Sequence, residues 1–388
     1  MTMVQVLRDN ASVSSASTET NGTASLRQAA WLGVAHFVVD AVCVASVLRA
    51  APARGAFASS ALAFVLSYDL LAFAGQVPLG WAVDRVSPSK TAALTGVLLS
   101  ALALAMGSQA GLAVIALAGV GNALFHVGAG AMILSNAQAK AAPAGVFVAP
   151  GALGLGLGIV LGRALPRTPL WPLFFAVVVA CVAVATVADT RRKDSPTTSE
   201  PLPAGRVVAI LALLFFSVAV RSLVGTVGCD GCPRGTFLLV AVPAVAFSGK
   251  LAGGFLSDRL GWTEVSVAAL LTSAPLLAFA NGQLWFALPG LVIFQMTMPV
   301  TLAAVYRALP AFPGLGFGVL SLALVSGTLP AYLPGGWRPH GTPLLAVVFA
   351  SAAALYVALR LLFAPAWAPA TAASQPESTP STLSRGLP

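Results

Sequence analysis

His36 and Asp40 stand four residues apart in one apolar run, and Asn122 and His126 repeat that spacing in another. Side chains four apart on a helix share a face and can couple directly. An imidazole beside a carboxylate can handle protons, because burial disfavours either charge alone and each group restores the charged form of its neighbour. Asp69 lies in a third apolar run. Ionisable groups inside such runs are costly and usually functional. Asp40 is therefore the first proton-carrying candidate and Asp69 the second, with His36 and His126 as partners. The plainer role for either histidine is a hydrogen bond that ties two helices together.

Opposite charge follows later in the chain, at Arg221 and Lys250, again within apolar runs. The planar fork of an arginine suits a carboxylate or phosphonate, and a lysine supplies a point charge. Both are substrate-binding candidates, although Arg221 near a helix end could instead snorkel toward water. Asn122, Gln76, Gln295 and Tyr306 could add uncharged contacts. His36, Asp40, Asp69 and His126 also contain the N and O atoms that a divalent metal accepts, yet no tight His/Cys constellation supports a resident metal. Cys229 and Cys232 fall in a short polar segment, where two cysteines alone do not complete a zinc site and an oxidising exterior would favour a disulfide. No cofactor is expected.

The composition says what must position these groups. Of 388 residues, 58% are hydrophobic and 9% charged, and the mean hydropathy is +0.89. A soluble domain carries about a quarter of its residues charged, so lipid must cover much of this chain. Apolar runs long enough to cross about 30 Å of hydrocarbon fall near 29–50, 56–80, 91–108, 111–132, 144–164, 170–189, 206–226, 236–256, 265–281, 284–305, 314–334 and 341–363. Twelve transmembrane helices are expected, with short breaks near 109 and 282–283. Counting from the start of the first, Asp40 falls about 18 Å deep, near the midplane. The formal charge of +9 is scattered over short connections, which argues against a nucleic-acid partner. Residues 1–27 are polar with both signs of charge, unlike a cleaved signal peptide.

Lys and Arg are more frequent in connections on the N-terminal side (Arg85, Lys90, Lys140, Arg191, Arg192, Lys193, Arg206, Arg259, Arg307) than on the other (Arg49, Arg54, Arg163, Arg167, Arg234, Arg338). That bias places both termini in the cytoplasm. The expected organisation is a cytoplasmic tail over 1–27, a six-helix bundle over 28–190, a linker over 191–205, a second six-helix bundle over 206–365 and a disordered tail over 366–388. The halves echo each other: Gly80-Trp-Ala-Val-Asp84-Arg85 closes the second helix and Gly254-Phe-Leu-Ser-Asp258-Arg259 the eighth. Repeated halves fit a transporter whose substrate lies between them.

With Lys90, the first of these motifs is similar to the Gly-x-x-x-Asp-Arg-x-x-x-x-Lys/Arg loop of the major facilitator superfamily. The resemblance covers 28–365, and the second copy lacks the final basic residue. His36-Phe-Val-Val-Asp40, Phe73-Ala-Gly-Gln76 and Gly121-Asn-Ala-Leu-Phe125-His126 resemble the fosmidomycin-resistance-like branch, which contains proton-coupled drug exporters. The resemblance implies an all-α membrane protein of two pseudo-symmetric six-helix bundles, with helices 1 and 4 lining a central cavity.

Asp84, Arg85, Lys90, Asp258 and Arg259 are then gating candidates. A carboxylate there can bridge to the next helix or its N-terminus, where unpaired N–H groups attract anions. Gly154, Gly158 and Gly162 recur every four residues and suit close helix packing. No phosphate-binding loop or catalytic nucleophile pattern is present, which disfavours an ATP-driven pump or a hydrolase. The expected function is proton-coupled export of a small, anionic organic solute by a monomer in the bacterial inner membrane. Its partners are that solute, protons and lipid. Import of an organic anion or a divalent metal is the alternative, followed by a membrane receptor.

Overall fold

A computed structural model describes residues 3–51, 58–86, 88–107, 111–137, 140–165, 167–188, 202–233, 235–333 and 335–364. The expected break near 109, most of the linker and the tail over 366–388 lie outside the described residues. Among those described, every regular element is helical.

The first half contains α1 (Met3–Ala50), α2 (Ala58–Asp69, a π-turn Leu70–Ala74, then Gln76–Val86), α3 (Ser89–Met106) and α4 (Gly111–Asn136). It continues with α5 (Ala142–Ile159, extended by a π-turn Val160–Ala164) and α6 (Pro172–Thr186). The second half contains α7 (Ala204–Val227), α8 (Thr236–Leu260), α9 (Trp262–Ala278), α10 (Leu284–Gln295 and Met298–Ala308), α11 (Pro313–Tyr332) and α12 (Gly341–Phe363). Ten of the twelve are long and apolar enough to cross a membrane, and α6 and α9 are shorter apolar helices. With no water in the hydrocarbon, each segment must satisfy its own backbone, and a helix does so.

The irregularities have local causes. Pro299 has no N–H to give the carbonyl of Gln295, so α10 breaks there. Thr297 and Thr301 turn their hydroxyls back onto the carbonyls of Phe294 and Met298 at 3.2 and 2.9 Å. In α2 the π-turn inserts one residue directly after Asp69, and Gly75 N–H reaches the carbonyl of Leu70 at 3.0 Å. Such turns occur frequently at functional sites. The helix then runs on to Val86, so the Asp84-Arg85 pair sits in its last turn.

Each half forms its own bundle, α1 lying along α5 and α3 along α4, while α7 lies against α11 and α12. The bundles meet through α2 against α11 and α5 against α8, two contacts exchanged by swapping the halves. Glycines permit these approaches. A Cβ on Gly80 would overlap the backbone at Gly314, and one on Gly254 would lie 2.9 Å from Ala142 Cα. Within the first bundle, the face of Gly154, Gly158 and Gly162 lies against Phe37, Ala41, Val44 and Leu48 of α1.

Gly158→Leu should therefore lower the midpoint of thermal unfolding, overpacking costing about 1–3 kcal/mol. Gly225→Ala, with nothing within 4 Å, should leave it unchanged or raised. Equal midpoints for the two variants in detergent would refute this packing account.

Candidate functional site

A cavity of about 510 Å³ lies between the bundles, lined by α1, α2, α4 and α5 from one and α7, α8, α10 and α11 from the other. Its deep end holds His36, Asp40, Asn122, His126 and Lys250, and Tyr68 and Asp69 stand on the α2 wall. The lining follows α1, α5 and α11 as far as Leu48, Arg163 and Tyr332, near the ends of those helices. Most of the remaining wall is Val, Leu, Ile and Phe.

Helix packing joins the two local pairs into one cluster. Asp40 Oδ2 lies 3.2 Å from His36 Nε2, and Asp40 Oδ1 lies 3.7 Å from His126 Nε2. Asn122 Nδ2 donates to Asp40 Oδ1 at 2.9 Å, and the two histidine Nε2 atoms are 2.9 Å apart. The rings meet edge to face at 4.5 Å, with Phe147 against His36 at 4.9 Å and Phe317 of the other bundle against His126 at 6.3 Å. One turn beyond Asp40, the Cys43 thiol donates to Ser100 Oγ at 3.2 Å.

Lys250 lines the cavity within electrostatic reach of Asp40 and Arg221. Among the described residues its ammonium makes no hydrogen bond or ion pair. Arg221 is 3% exposed and lies outside the lining. It donates to the hydroxyls of Thr297 and Thr301 at 3.2 and 3.3 Å, bracing the break in α10. Arg221, a substrate-binding candidate from the sequence, thus neither lines the cavity nor snorkels to water in this structure. Gln76, Gln295 and Tyr306 are also outside the lining. Gln76 is fully buried and donates to the carbonyl of Ala72 at 2.6 Å; Gln295 packs its Cβ on Gly249, and Tyr306 packs on the core. Sequence reasoning missed Tyr68, Arg163, Ser222, Phe317 and Thr328. Only Tyr68 carried a signal, as the neighbour of Asp69.

At the opposite end of the interface the bundles are joined. Asp84 accepts the N–H groups of Gly314 and Leu315 at 2.9 and 2.8 Å. Asp258 accepts those of Ala141 and Ala142 at 2.8 Å each, and Trp262 Nε1–H at 3.2 Å. Neither α11 nor α5 has a side-chain cap from its own N-cap residue, so each receives its cap from the other bundle. The expectation of a bridge to the following helix is amended, since these hydrogen bonds cross between the halves. Arg85 lies over the rings of Trp81 and Phe312 at 5.1 and 5.7 Å. Lys90 donates to the carbonyls of Ala185 and Val187, the second at 2.9 Å, closing the C-terminus of α6. Arg259 is exposed at the end of α8. On the other face Cys229 and Cys232 form a disulfide, and Arg338 grips Asp230 with two hydrogen bonds of 2.5 and 2.7 Å.

No family model and no curated protein matches the chain by sequence. Solved structures do match in three dimensions. The outward conformation of FucP, the fucose:proton symporter of E. coli and a major facilitator superfamily transporter, superposes with a TM-score of 0.63 at 13% identity. That match covers 87% of this chain and 98% of the other. The human organic anion transporter MFSD10 gives 0.57 at 15%, over 89% and 99%. A bacterial homologue of the iron transporter ferroportin, outward-facing, gives 0.54 at 15%, over 88% and 98%. This chain has the major facilitator fold.

In the major facilitator fold seen here, the site is a pocket closed at the Asp84–Asp258 face and lined toward the other. The ligand atoms of His36, Asp40 and His126 lie within 4.8 Å of one another, a donor set that a divalent cation accepts. The 2.9 Å between the two Nε2 atoms is a hydrogen-bond length, however, whereas two nitrogens on a tetrahedral zinc stand about 3.3 Å apart. Lys250 adds positive charge to the same cavity. The three side chains are hence a hydrogen-bonded cluster first.

Water access is measurable. In a Cys181→Ser background, Asp69→Cys should react with a charged thiol reagent, whereas Val83→Cys, replacing a side chain 4% exposed, should not. Equal reactivity would contradict the placement of the cavity.

Proposed function

We propose that this multi-pass membrane protein is a proton-coupled secondary transporter of a small organic anion, working by alternating access. The observation that carries the reading is the Asp40–His36–His126 cluster at the deep end of a cavity that both bundles line. A proton taken up there changes the charge of the cavity where solute would bind. Lys250, whose ammonium makes no hydrogen bond or ion pair among the described residues, supplies the attraction for an anion, and the apolar walls suit an organic body. The known transport of fucose with protons by FucP and of organic anions by MFSD10 agrees with this reading.

The charges bear on direction. Without a proton on the cluster, the Asp40 carboxylate attracts Lys250; with one, that attraction is neutralised and Lys250 is free for an anion. Proton and anion then favour each other's binding, and linkage makes the effect reciprocal. This favours co-transport, hence uptake under an inward proton gradient. Export, the expectation from the sequence, requires that proton and solute exclude each other, which a neutral or cationic solute would satisfy.

The carboxylate caps at Asp84 and Asp258 serve as latches on the cytoplasmic side, and breaking them opens that face. The disulfide on the opposite face supports placing it in an oxidising exterior, with both termini in the cytoplasm of a bacterium. The transporter works as a monomer, each cavity being complete within one chain.

Two outcomes follow. In vesicles with an imposed pH gradient, uphill movement of an anion found by a ligand-dependent melting screen should be lost in Asp40→Asn while downhill exchange persists; full pH-driven accumulation would remove Asp40 from coupling. Each cap is worth about 0.5–2 kcal/mol against alanine, so Asp84→Ala should shift the population several-fold toward the state open at that face. Unchanged spin-label distances across α2 and α11 would reject the latch.

A further inference from the structure

The hydrogen bonds of the two buried imidazoles bear on how many hydrogens they hold. His36 Nδ1 is 3.0 Å from the carbonyl oxygen of Phe147, and His126 Nδ1 is 2.8 Å from that of Asn122. A carbonyl oxygen only accepts, so both Nδ1 atoms carry hydrogen. The two remaining nitrogens, Nε2 of each ring, face each other at 2.9 Å. If both were bare, two lone pairs would meet at hydrogen-bond distance. One hydrogen must lie between them. Four ring nitrogens then hold three hydrogens, one more than two neutral imidazoles carry. The extra positive charge rests against the Asp40 carboxylate, which Asn122 also holds.

We propose that the coupling proton binds between His36 and His126, shared by their Nε2 atoms, with Asp40 as the fixed counter-ion and not the carrier. The inference rests on the proton-coupled reading above and assigns the proton within it. When the proton leaves, the two lone pairs repel and one ring must turn. His36 is held: any Cβ at Gly151 would overlap its ring, and Phe125 and Phe147 flank it at 6.0 and 4.9 Å. Both rings border the cavity, and His126 meets Phe125 at 5.5 Å and Phe317 of α11 at 6.3 Å. Its Nδ1, however, is tied only within its own helix, to the Asn122 carbonyl, whereas that of His36 is tied across to α5. His126 is therefore the ring that turns, toward the helix whose N-terminus Asp84 caps. Loss of the proton thus acts on the contact between bundles.

The other titratable or charged groups around the pair are few. Asp40 and Cys43 come from α1, Tyr68 and Asp69 from α2, Lys250 from α8, and Arg221 from α7 behind the break in α10. The segments of α5 and α11 that touch the rings contribute Phe147, Gly151 and Phe317, which carry no charge.

The chain has three histidines, and His340 is exposed on the far face as an internal reference. The full chain, labelled with ¹⁵N in its imidazoles and purified in nanodiscs without solute, should show both buried Nδ1 atoms protonated and one hydrogen divided between the two Nε2 resonances near neutral pH. Raising the pH should remove that hydrogen from both rings in a single step. A pH jump on unlabelled protein should release one proton that His126→Gln does not release. Two bare Nε2 atoms near neutral pH, two independent titrations, or a protonated-carboxyl infrared band abolished by Asp40→Asn would overturn the assignment. No transport is measured, so absence of flux would refute the transporter reading alone. Failure of the shared proton would leave cluster-coupled transport standing.

Discussion

The first N–H groups of a helix have no partner inside it, and in α5 and α11 no side chain at the N-cap supplies one. Asp258 and Asp84 fill that need from the opposite bundle, each with two hydrogen bonds to backbone N–H groups. A charged acceptor at a helix N-terminus gains from the peptide dipoles as well as from the hydrogen bonds. Because the two caps are exchanged by the pseudo-symmetry, both seams of the interface close at the same end. The cavity consequently lies toward the other end, and the depth of every polar group in it is measured from that closure.

Close approach makes the closure possible. Gly80 beside Gly314, and Gly254 beside Ala142, bring α2 onto α11 and α8 onto α5 near enough for a short aspartate to reach backbone. The same device operates inside the first bundle, where the glycine face of α5 admits α1 and Gly151 leaves room for the His36 ring. A packing rule that looks generic thereby sets where the His36 ring stands. The acidic and imidazole groups of the cavity's deep end belong to the first bundle and the Lys250 ammonium to the second. Charge is thus divided across the surface along which the bundles must move.

The sequence by itself determined the elements and the local pairs. Hydropathy is a sum over neighbours, so twelve helical segments were readable, though α2 continues six residues beyond the expected 80 to Val86. The i,i+4 couples His36–Asp40 and Asn122–His126 were readable for the same reason, as was the repeated Gly-Asp-Arg motif that places Asp84 and Asp258 at equivalent helix ends. Tertiary structure alone decided what each helix faces. These helices are apolar nearly all round, and a one-dimensional pattern cannot say which side of such a helix meets water, lipid or protein. Hence Lys250 lines the cavity while Arg221 turns to Thr297 and Thr301, and Gln76, Gln295 and Tyr306 lie in packing. Hence also the partner of each aspartate lies in the other half of the chain, and the two histidines, 90 residues apart, meet. Contacts of that span depend on how bundles dock, and docking is not written in any local window of residues.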